Sequence, residues 1–125
     1  MGEPALIFAV DDDASFLTSI VRLLCSNGLQ VEAFPSAEAL QQHGDLSRAA
    51  CLLLDIHLGG ISGIELHQQL KRNGSSVPVV FMTGSDSTAT RRVAEEQGCF
   101  AYLQKPFAES DLMNVVTRAV TSRDM

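Results

Sequence analysis

The chain has 125 residues, a length that fits one domain with a core large enough to fold without disulfide or metal staples. Hydrophobic residues make up 46% and charged residues 19% of it, which is a globular composition and argues against disorder. Nine basic residues face fifteen acidic ones, so the formal charge of -6 argues against direct binding of nucleic acid or of an anionic membrane surface.

The cysteines do not suggest a disulfide or zinc framework. Cys25, Cys51 and Cys99 are odd in number, contain no CxxC pair and sit in apolar stretches, which predicts buried thiols in a reducing compartment. No apolar run approaches the ~18 residues of a membrane span, and the N-terminus lacks the basic region of a signal peptide. We therefore expect a cytoplasmic protein without a membrane partner.

The first half of the chain alternates apolar strands with helical patterns. Residues 5–10 are a continuous apolar run, as expected of a strand buried on both faces. Residues 14–27 carry an apolar stripe at helical spacing, and residues 31–34 alternate in the manner of an edge strand. Ser36 is suited to cap a second helix that we expect to run to about residue 47.

The same alternation continues through the middle of the chain. Residues 50–54 form the second fully apolar run, and residues 77–82 form the third. Between them, Ser62 and Glu65 have the spacing of a capping box for a helix that Gly74 ends.

The last third predicts two further helices around one strand. Asp86 or Ser87 caps a helix that extends through Gln97. Residues 100–103 alternate as an edge strand does, and residues 108–121 form an amphipathic closing helix.

Five strand–helix units follow from this pattern, with three strands apolar throughout and two alternating. Right-handed crossovers then build an α/β fold with a doubly wound five-stranded parallel sheet. The order 2-1-3-4-5 places the two alternating strands at the edges. We therefore expect a flavodoxin-like, three-layer (βα)5 sandwich formed by residues 1–125 as one domain.

Polar side chains follow four of the predicted strands. Asp11 and Asp12 follow strand one, Asp55 follows strand three, Thr83 ends strand four and Lys105 follows strand five. The carboxyl ends of neighbouring parallel strands meet at one edge, so these groups should converge there. Clustered carboxylates without a His or Cys set predict a Mg²⁺ site, whereas Asp13 occupies the N-cap position of the first helix.

The same groups could carry phosphoryl chemistry. The Asp55 carboxylate beside a bound cation could attack an electrophilic phosphorus and form an acyl phosphate. Thr83 would donate a hydrogen bond to the phosphoryl group, and Lys105 would supply a positive charge to another of its oxygens.

Four stretches carry a family resemblance: Val10-Asp11-Asp12, DIHLGGISG at residues 55–63, Thr83-Gly84 and Lys105-Pro106-Phe107. With them, essentially the whole chain resembles a receiver domain of the response regulator superfamily, the phosphoacceptor module of two-component signalling.

This resemblance implies the roles of the site residues. Asp55 would be phosphorylated by a sensor histidine kinase or a histidine phosphotransfer protein. Asp11, Asp12 and Asp55 would bind Mg²⁺ together with the backbone carbonyl of His57.

The resemblance also implies which residues switch on phosphorylation and which surface transmits the change. Thr83 and Tyr102 would be the switch residues, and helix four, strand five and helix five, roughly residues 86–121, would be the surface that changes. This surface would control an output domain, such as a DNA-binding one, or form a phosphorylation-dependent homodimer.

Three positions depart from the family pattern. Gly59 stands where the family usually has proline, so the loop after Asp55 should be looser. His57, two residues past the acceptor, is a position at which side chains tend to alter phosphate lifetime. Ala108 replaces a usual capping residue before the last helix, at a cost of about 1 kcal/mol.

Two other functions compete with this interpretation. Residues 11–15 resemble the nucleophile loop of haloacid-dehalogenase-like phosphatases, in which Asp11 and Asp13 would act. However, no strand after Lys105 ends in the acidic pair of that family, and the position of Asp55 would have no explanation. A receiver fold that only binds proteins is the other alternative, although such domains typically lose an acidic residue or the lysine.

Overall fold

The structure is a computed structural model that describes residues 4–85 and 87–123. Strands and helices alternate along the chain. The strands are β1 (Leu6–Val10), β2 (Gln30–Phe34), β3 (Ala49–Asp55), β4 (Val79–Thr83) and β5 (Ala101–Gln104). The helices are α1 (Ala14–Ser26), α2 (Ala37–His43), α3 (Gly63–Arg72), α4 (Thr88–Glu96) and α5 (Glu109–Arg123).

The sheet has the predicted order, β2-β1-β3-β4-β5, and every neighbouring pair is parallel. The three continuously apolar strands, β1, β3 and β4, are buried at every residue, whereas β2 and β5 are partly exposed at the two edges. The predicted doubly wound α/β fold is therefore confirmed, because a strand covered by helices on both faces needs apolar side chains on both.

Two hydrophobic clusters separate the three layers. Alternate residues of β3 serve the two faces: Leu52 and Leu54 join one cluster, and Cys51 and Leu53 join the other. The first cluster includes side chains of α2, α3 and α4, and the second includes side chains of α1 and α5.

Four predicted helix starts are confirmed by capping hydrogen bonds. Asp13, Ser36, Ser62 and Ser87 each have an extended backbone, and each side chain accepts a hydrogen bond from the backbone N–H three residues on. These caps satisfy N–H groups that the helix itself leaves without partners. Asp86, the other candidate cap of α4, lies outside the described residues.

The predicted end of α2 near residue 47 is wrong. The helix ends at His43, because Gly44 adopts φ 83°, a left-handed conformation that glycine accepts readily, and donates its N–H to the carbonyl of Leu40. At β4 the start moves from residue 77 to Val79: Pro78 has no N–H to donate to the sheet, and its carbonyl accepts from Leu52.

The cysteine prediction is confirmed in part. Cys51 is fully buried, and burial raises the pKa of its thiol to about 12, so it behaves as a small apolar residue. Cys99 is half-buried, but Cys25 is exposed near the end of α1, on the other side of the helix from its fully buried neighbour Leu24. The prediction that all three are buried is therefore wrong for Cys25.

Within residues 4–85 and 87–123, none of the helices combines the length and the apolar character needed to cross a bilayer.

Candidate functional site

The polar residues singled out from the sequence meet at one edge of the sheet. The register places Val10 beside Leu54, Asp55 beside Met82 and Thr83 beside Gln104, so the next residue or two of each strand reach the same edge. Asp11 and Thr83 are fully buried there, and Asp55 is 5% exposed.

Three carboxylates form the centre of the site. Asp11, Asp12 and Asp55 each offer an oxygen within 4.8 Å of the others, with Asp12 exposed at the mouth. The backbone N–H of Asp13 donates to Asp11 Oδ1 at 2.9 Å, and that of His57 donates to Asp55 Oδ1 at 3.2 Å. Backbone groups thus orient two of the three carboxylates, while oxygens remain for other partners.

Lys105 provides the positive charge of the site. Its Nζ lies 2.7 Å from Asp11 Oδ2 and 3.9 Å from Asp55 Oδ2. The same ammonium lies 4.1 Å from the ring centroid of Phe16, which in turn packs edge-on against Phe107. Phe16 therefore holds Lys105 through a cation–π contact, a role that the sequence did not reveal because its place in the helical stripe predicted only a core residue.

Asp55 is the carboxylate whose protonation the site changes most clearly. Burial raises its pKa from 3.8 to about 6, assisted by the charge of Asp11 and, less, of Asp12, while Lys105 and the His57 N–H act against the shift. Ionised Asp55 is therefore poorly compensated by the residues around it.

We expect Asp55→Asn to stabilise the protein in buffer without divalent cations. The folded carboxyl binds its proton more tightly than the unfolded one, so ionisation reduces the free energy of unfolding as the pH rises from about 4 to about 6. The full difference corresponds to about 3 kcal/mol, and because Asp12 opens the site to water we expect a gain of about 1–2 kcal/mol above pH 6.

Chemical denaturation with EDTA present measures this gain. It should shrink to a small remainder near pH 4, where folded Asp55 is protonated and the unfolded carboxyl is about half ionised, and it should vanish at about pH 3. An equal gain at pH 4 and pH 7 would show that the effect does not come from the charge of Asp55.

The donor set suits Mg²⁺. All of its side-chain donors are carboxylate oxygens, which this ion prefers. Burial, assisted by the charge of Asp11, raises the pKa of Asp55, so a cation bound there would stabilise the ionised carboxylate. Asp11, Asp12 and Asp55 are the side chains that would hold the ion, and the backbone of His57 lies beside them.

Thr83 makes its hydrogen bonds within its own loop. Its hydroxyl accepts from the N–H of Ser85 at 3.1 Å and donates to the Ser85 carbonyl at 3.2 Å. The His57 ring also reaches that carbonyl, with Nε2 at 3.4 Å, and so connects the loop after β3 to the loop after β4. Nothing in the sequence pattern indicates this linking role of Ser85, because it is the backbone carbonyl that makes the link.

Tyr102 lies on β5, paired with Phe81 of β4. Its ring is half-buried against the cluster under α2, α3 and α4, and the guanidinium carbon of Arg91 lies 5.1 Å from the ring centroid. Tyr102 thus bridges β5 and α4.

A family model described as the response regulator receiver domain matches residues 7–117, so the chain belongs to the response regulator receiver family. Nodulation protein W of Bradyrhizobium diazoefficiens is 36% identical over 120 residues, which are 96% of this chain and 52% of that protein. Transcriptional regulatory protein TdiR of Thauera aromatica is 32% identical over 125 residues, 99% of this chain and 55% of the relative. The chain thus spans about half the length of these relatives.

Solved structures agree on the fold. A CheY-like receiver domain protein from Methanospirillum hungatei JF-1 superposes with a TM-score of 0.89 at 24% identity, covering 97% of each chain. At that identity the likeness concerns the fold alone.

Membership of this family makes the chain a regulatory domain of two-component signalling rather than an enzyme. Receiver domains generally bind Mg²⁺ at an aspartate cluster and partner with histidine kinases and output domains. The phosphatase alternative is disfavoured in addition by Asp13, whose exposed side chain accepts from the N–H of Phe16 as the cap of α1.

Proposed function

We propose that this receiver domain, spanning residues 1–125, accepts a phosphoryl group on Asp55 from a sensor histidine kinase or a histidine phosphotransfer protein, with Mg²⁺ as cofactor. The observation that carries the proposal is the Asp55 carboxylate, nearly buried and surrounded by Asp11, Asp12 and Lys105. Its setting combines a nucleophile with groups that suit a cation and an anionic phosphoryl group.

Each residue of the site has a defined part in the transfer. An Asp55 oxygen forms a bond to phosphorus as the bond from phosphorus to the donor imidazole nitrogen breaks, and that nitrogen keeps the electron pair. Asp11, Asp12, Asp55 and the His57 carbonyl would hold Mg²⁺, which when bound neutralises charge on the phosphoryl oxygens. Lys105, whose Nζ lies 3.9 Å from Asp55 Oδ2, contributes a second positive charge.

The hydroxyl of Thr83 couples the site to the surface. To donate to a phosphoryl oxygen it must give up its bond to the Ser85 carbonyl, which moves the loop before α4. Tyr102, between β5 and α4, would follow that movement. Charge-assisted hydrogen bonds contribute roughly 1.5–3 kcal/mol each, so two or three approach the ~5.5 kcal/mol that inverts a two-state population.

The surface of α4, β5 and α5 would transmit the change to an output domain or to a second copy of the domain. A DNA-binding output is supported by the name of TdiR, a transcriptional regulatory protein about twice as long as the part matched here.

Intact mass spectrometry after incubation with a small phosphodonor and Mg²⁺ tests this function. We expect wild type to gain the mass of one phosphoryl group, and Asp55→Asn to gain none, since an amide is not a nucleophile for phosphorus. Thr83→Ala is the matched variant that keeps the acceptor and should still be labelled. Labelling of Asp55→Asn to the wild-type extent, or none of wild type under any donor, would refute the proposal.

A further inference from the structure

The loop that connects β3 to α3, residues 56–62, contains two adjacent exposed glycines, Gly59 and Gly60. Gly60 has φ 90°, in the left-handed region, and glycine pairs give a backbone unusual conformational freedom. This loop carries His57, whose backbone lies beside the carboxylate cluster. A metal site needs its donors held in place before the ion arrives, so the loop needs a restraint.

Glu38 contacts this loop from α2. Its Oε2 accepts a hydrogen bond from the N–H of Ile61 at 3.3 Å, between residues 23 positions apart in sequence. The same oxygen lies close to Gly60, since a Cβ added to that residue would be 2.8 Å from it. One carboxylate oxygen of half-buried Glu38 thus accepts from Ile61 and lies beside Gly60, the second glycine of the pair.

Glu38 lies in the first turn of α2, where a carboxylate held in one position does not destabilise the helix. Ser36 caps the helix by accepting from the N–H of Ala39, and the positive end of the helix dipole favours an acidic side chain in this turn. The carboxylate is therefore available to bind the loop rather than being needed as the cap itself.

We propose that Glu38 is a positioning residue that holds the loop of residues 56–62, and through it the backbone of His57, in the conformation that binds Mg²⁺. The inference rests on the proposed function, because it assumes that the His57 carbonyl is a ligand of the ion. Glu38 acts through Ile61 and Gly60. The hydrogen bond from Ile61 to Glu38 restrains the loop backbone, which the two glycines leave free to adopt other conformations.

Titration of the unphosphorylated protein with Mg²⁺ alone tests the proposal, with calorimetry and backbone amide signals as readouts. We expect Glu38→Ala to weaken Mg²⁺ binding about five-fold, the effect of losing one hydrogen bond that is worth more to the bound state than to the free one. Glu38→Gln keeps an acceptor oxygen and should stay within about two-fold of wild type. Hydrogen exchange of the Ile61 amide should accelerate in Glu38→Ala and not in Glu38→Gln.

Phosphorylation kinetics separate positioning from a general loss of structure. In Glu38→Ala the Mg²⁺ concentration for half-maximal labelling should rise by the same factor, while the labelling rate at saturating Mg²⁺ should be unchanged. Glu109→Ala is the matched control: it also removes a first-turn glutamate, from α5, and should leave Mg²⁺ binding as in wild type.

The proposal would be overturned if Glu38→Ala bound Mg²⁺ with wild-type affinity. It would also be overturned if Glu38→Gln lost as much Mg²⁺ affinity as Glu38→Ala, because the effect would then come from the charge of Glu38 rather than from its hydrogen bond. The proposed function fails separately, if wild type is not labelled on Asp55. A wild-type protein that does not bind Mg²⁺ at the carboxylate cluster would overturn both.

Discussion

Replacing Gly63 by alanine is expected to reduce the free energy of unfolding by about 3 kcal/mol, although alanine is the better helix former by up to about 1 kcal/mol. Gly63 is the buried first residue of α3, and its N–H donates to the carbonyl of Ile56 at 3.0 Å. A Cβ at this position would collide with the carbonyl oxygen of Asp55 and lie 3.0 Å from the Cα of Ile56. Steric overlap with backbone outweighs helix propensity, because β3 is buried at every residue and cannot move aside.

Gly59→Ala is the matched control for this prediction. Gly59 lies in the same loop, has no positive φ, and a Cβ built on it would meet nothing within 4 Å. Its replacement should change stability by no more than about 0.5 kcal/mol, or stabilise slightly through the unfolded chain. Urea denaturation of the two variants measures the contrast, and equal stabilities would show that the loop yields freely around Gly63.

Replacing Lys105 by methionine is expected to destabilise the protein by about 3 kcal/mol in buffer with EDTA. Lys105 is the partner of Asp11, whose carboxylate is fully buried, at 2.7 Å. Breaking a buried ion pair from one side leaves an uncompensated charge and typically costs about 3–5 kcal/mol. Because Asp12 opens this cluster to water, the lower end of that range applies.

Added Mg²⁺ should recover much of this loss, since a divalent cation at the same carboxylates replaces the missing positive charge. Thermal or urea denaturation with and without the ion measures the recovery. Lys71→Met is the matched control: the Lys71 side chain is exposed and its ammonium donates to the backbone carbonyl of Gln97, so the cost should be about 1 kcal/mol or less. A Lys105→Met variant as stable as wild type in EDTA would mean that Asp11 is compensated by other groups.

Lys105→Met and Asp55→Asn therefore act with opposite signs on the same cluster. Removing the cation leaves buried negative charge, whereas removing one anion relieves it. The opposition follows because Asp11 and Asp55 both lie near the Lys105 ammonium, at 2.7 and 3.9 Å.

The element order and the strand-end residues were readable because each depends on short-range patterns. Continuous apolar runs predict β1, β3 and β4. Ser36 and Ser62 predict the starts of α2 and α3, since a capping side chain bonds to a backbone N–H only three residues away. The end of α2 was misplaced because the conformation of Gly44, rather than the apolar pattern beyond it, stops the helix. Cys25 was misjudged because an apolar stretch of sequence does not tell which side of a helix faces out.

The amino-acid sequence by itself determined the sheet order, the layers and the convergence of Asp11, Asp12, Asp55, Thr83 and Lys105, because parallel strands deliver their ends to one edge whatever the loops do. Only the tertiary structure decided how these groups are paired and held: Lys105 against Asp11 and Phe16, Thr83 against Ser85, and Glu38 against Ile61. Hydrogen bonds and ion pairs depend on distances of a few tenths of an ångström between residues far apart in sequence, and no periodicity in the chain encodes such distances.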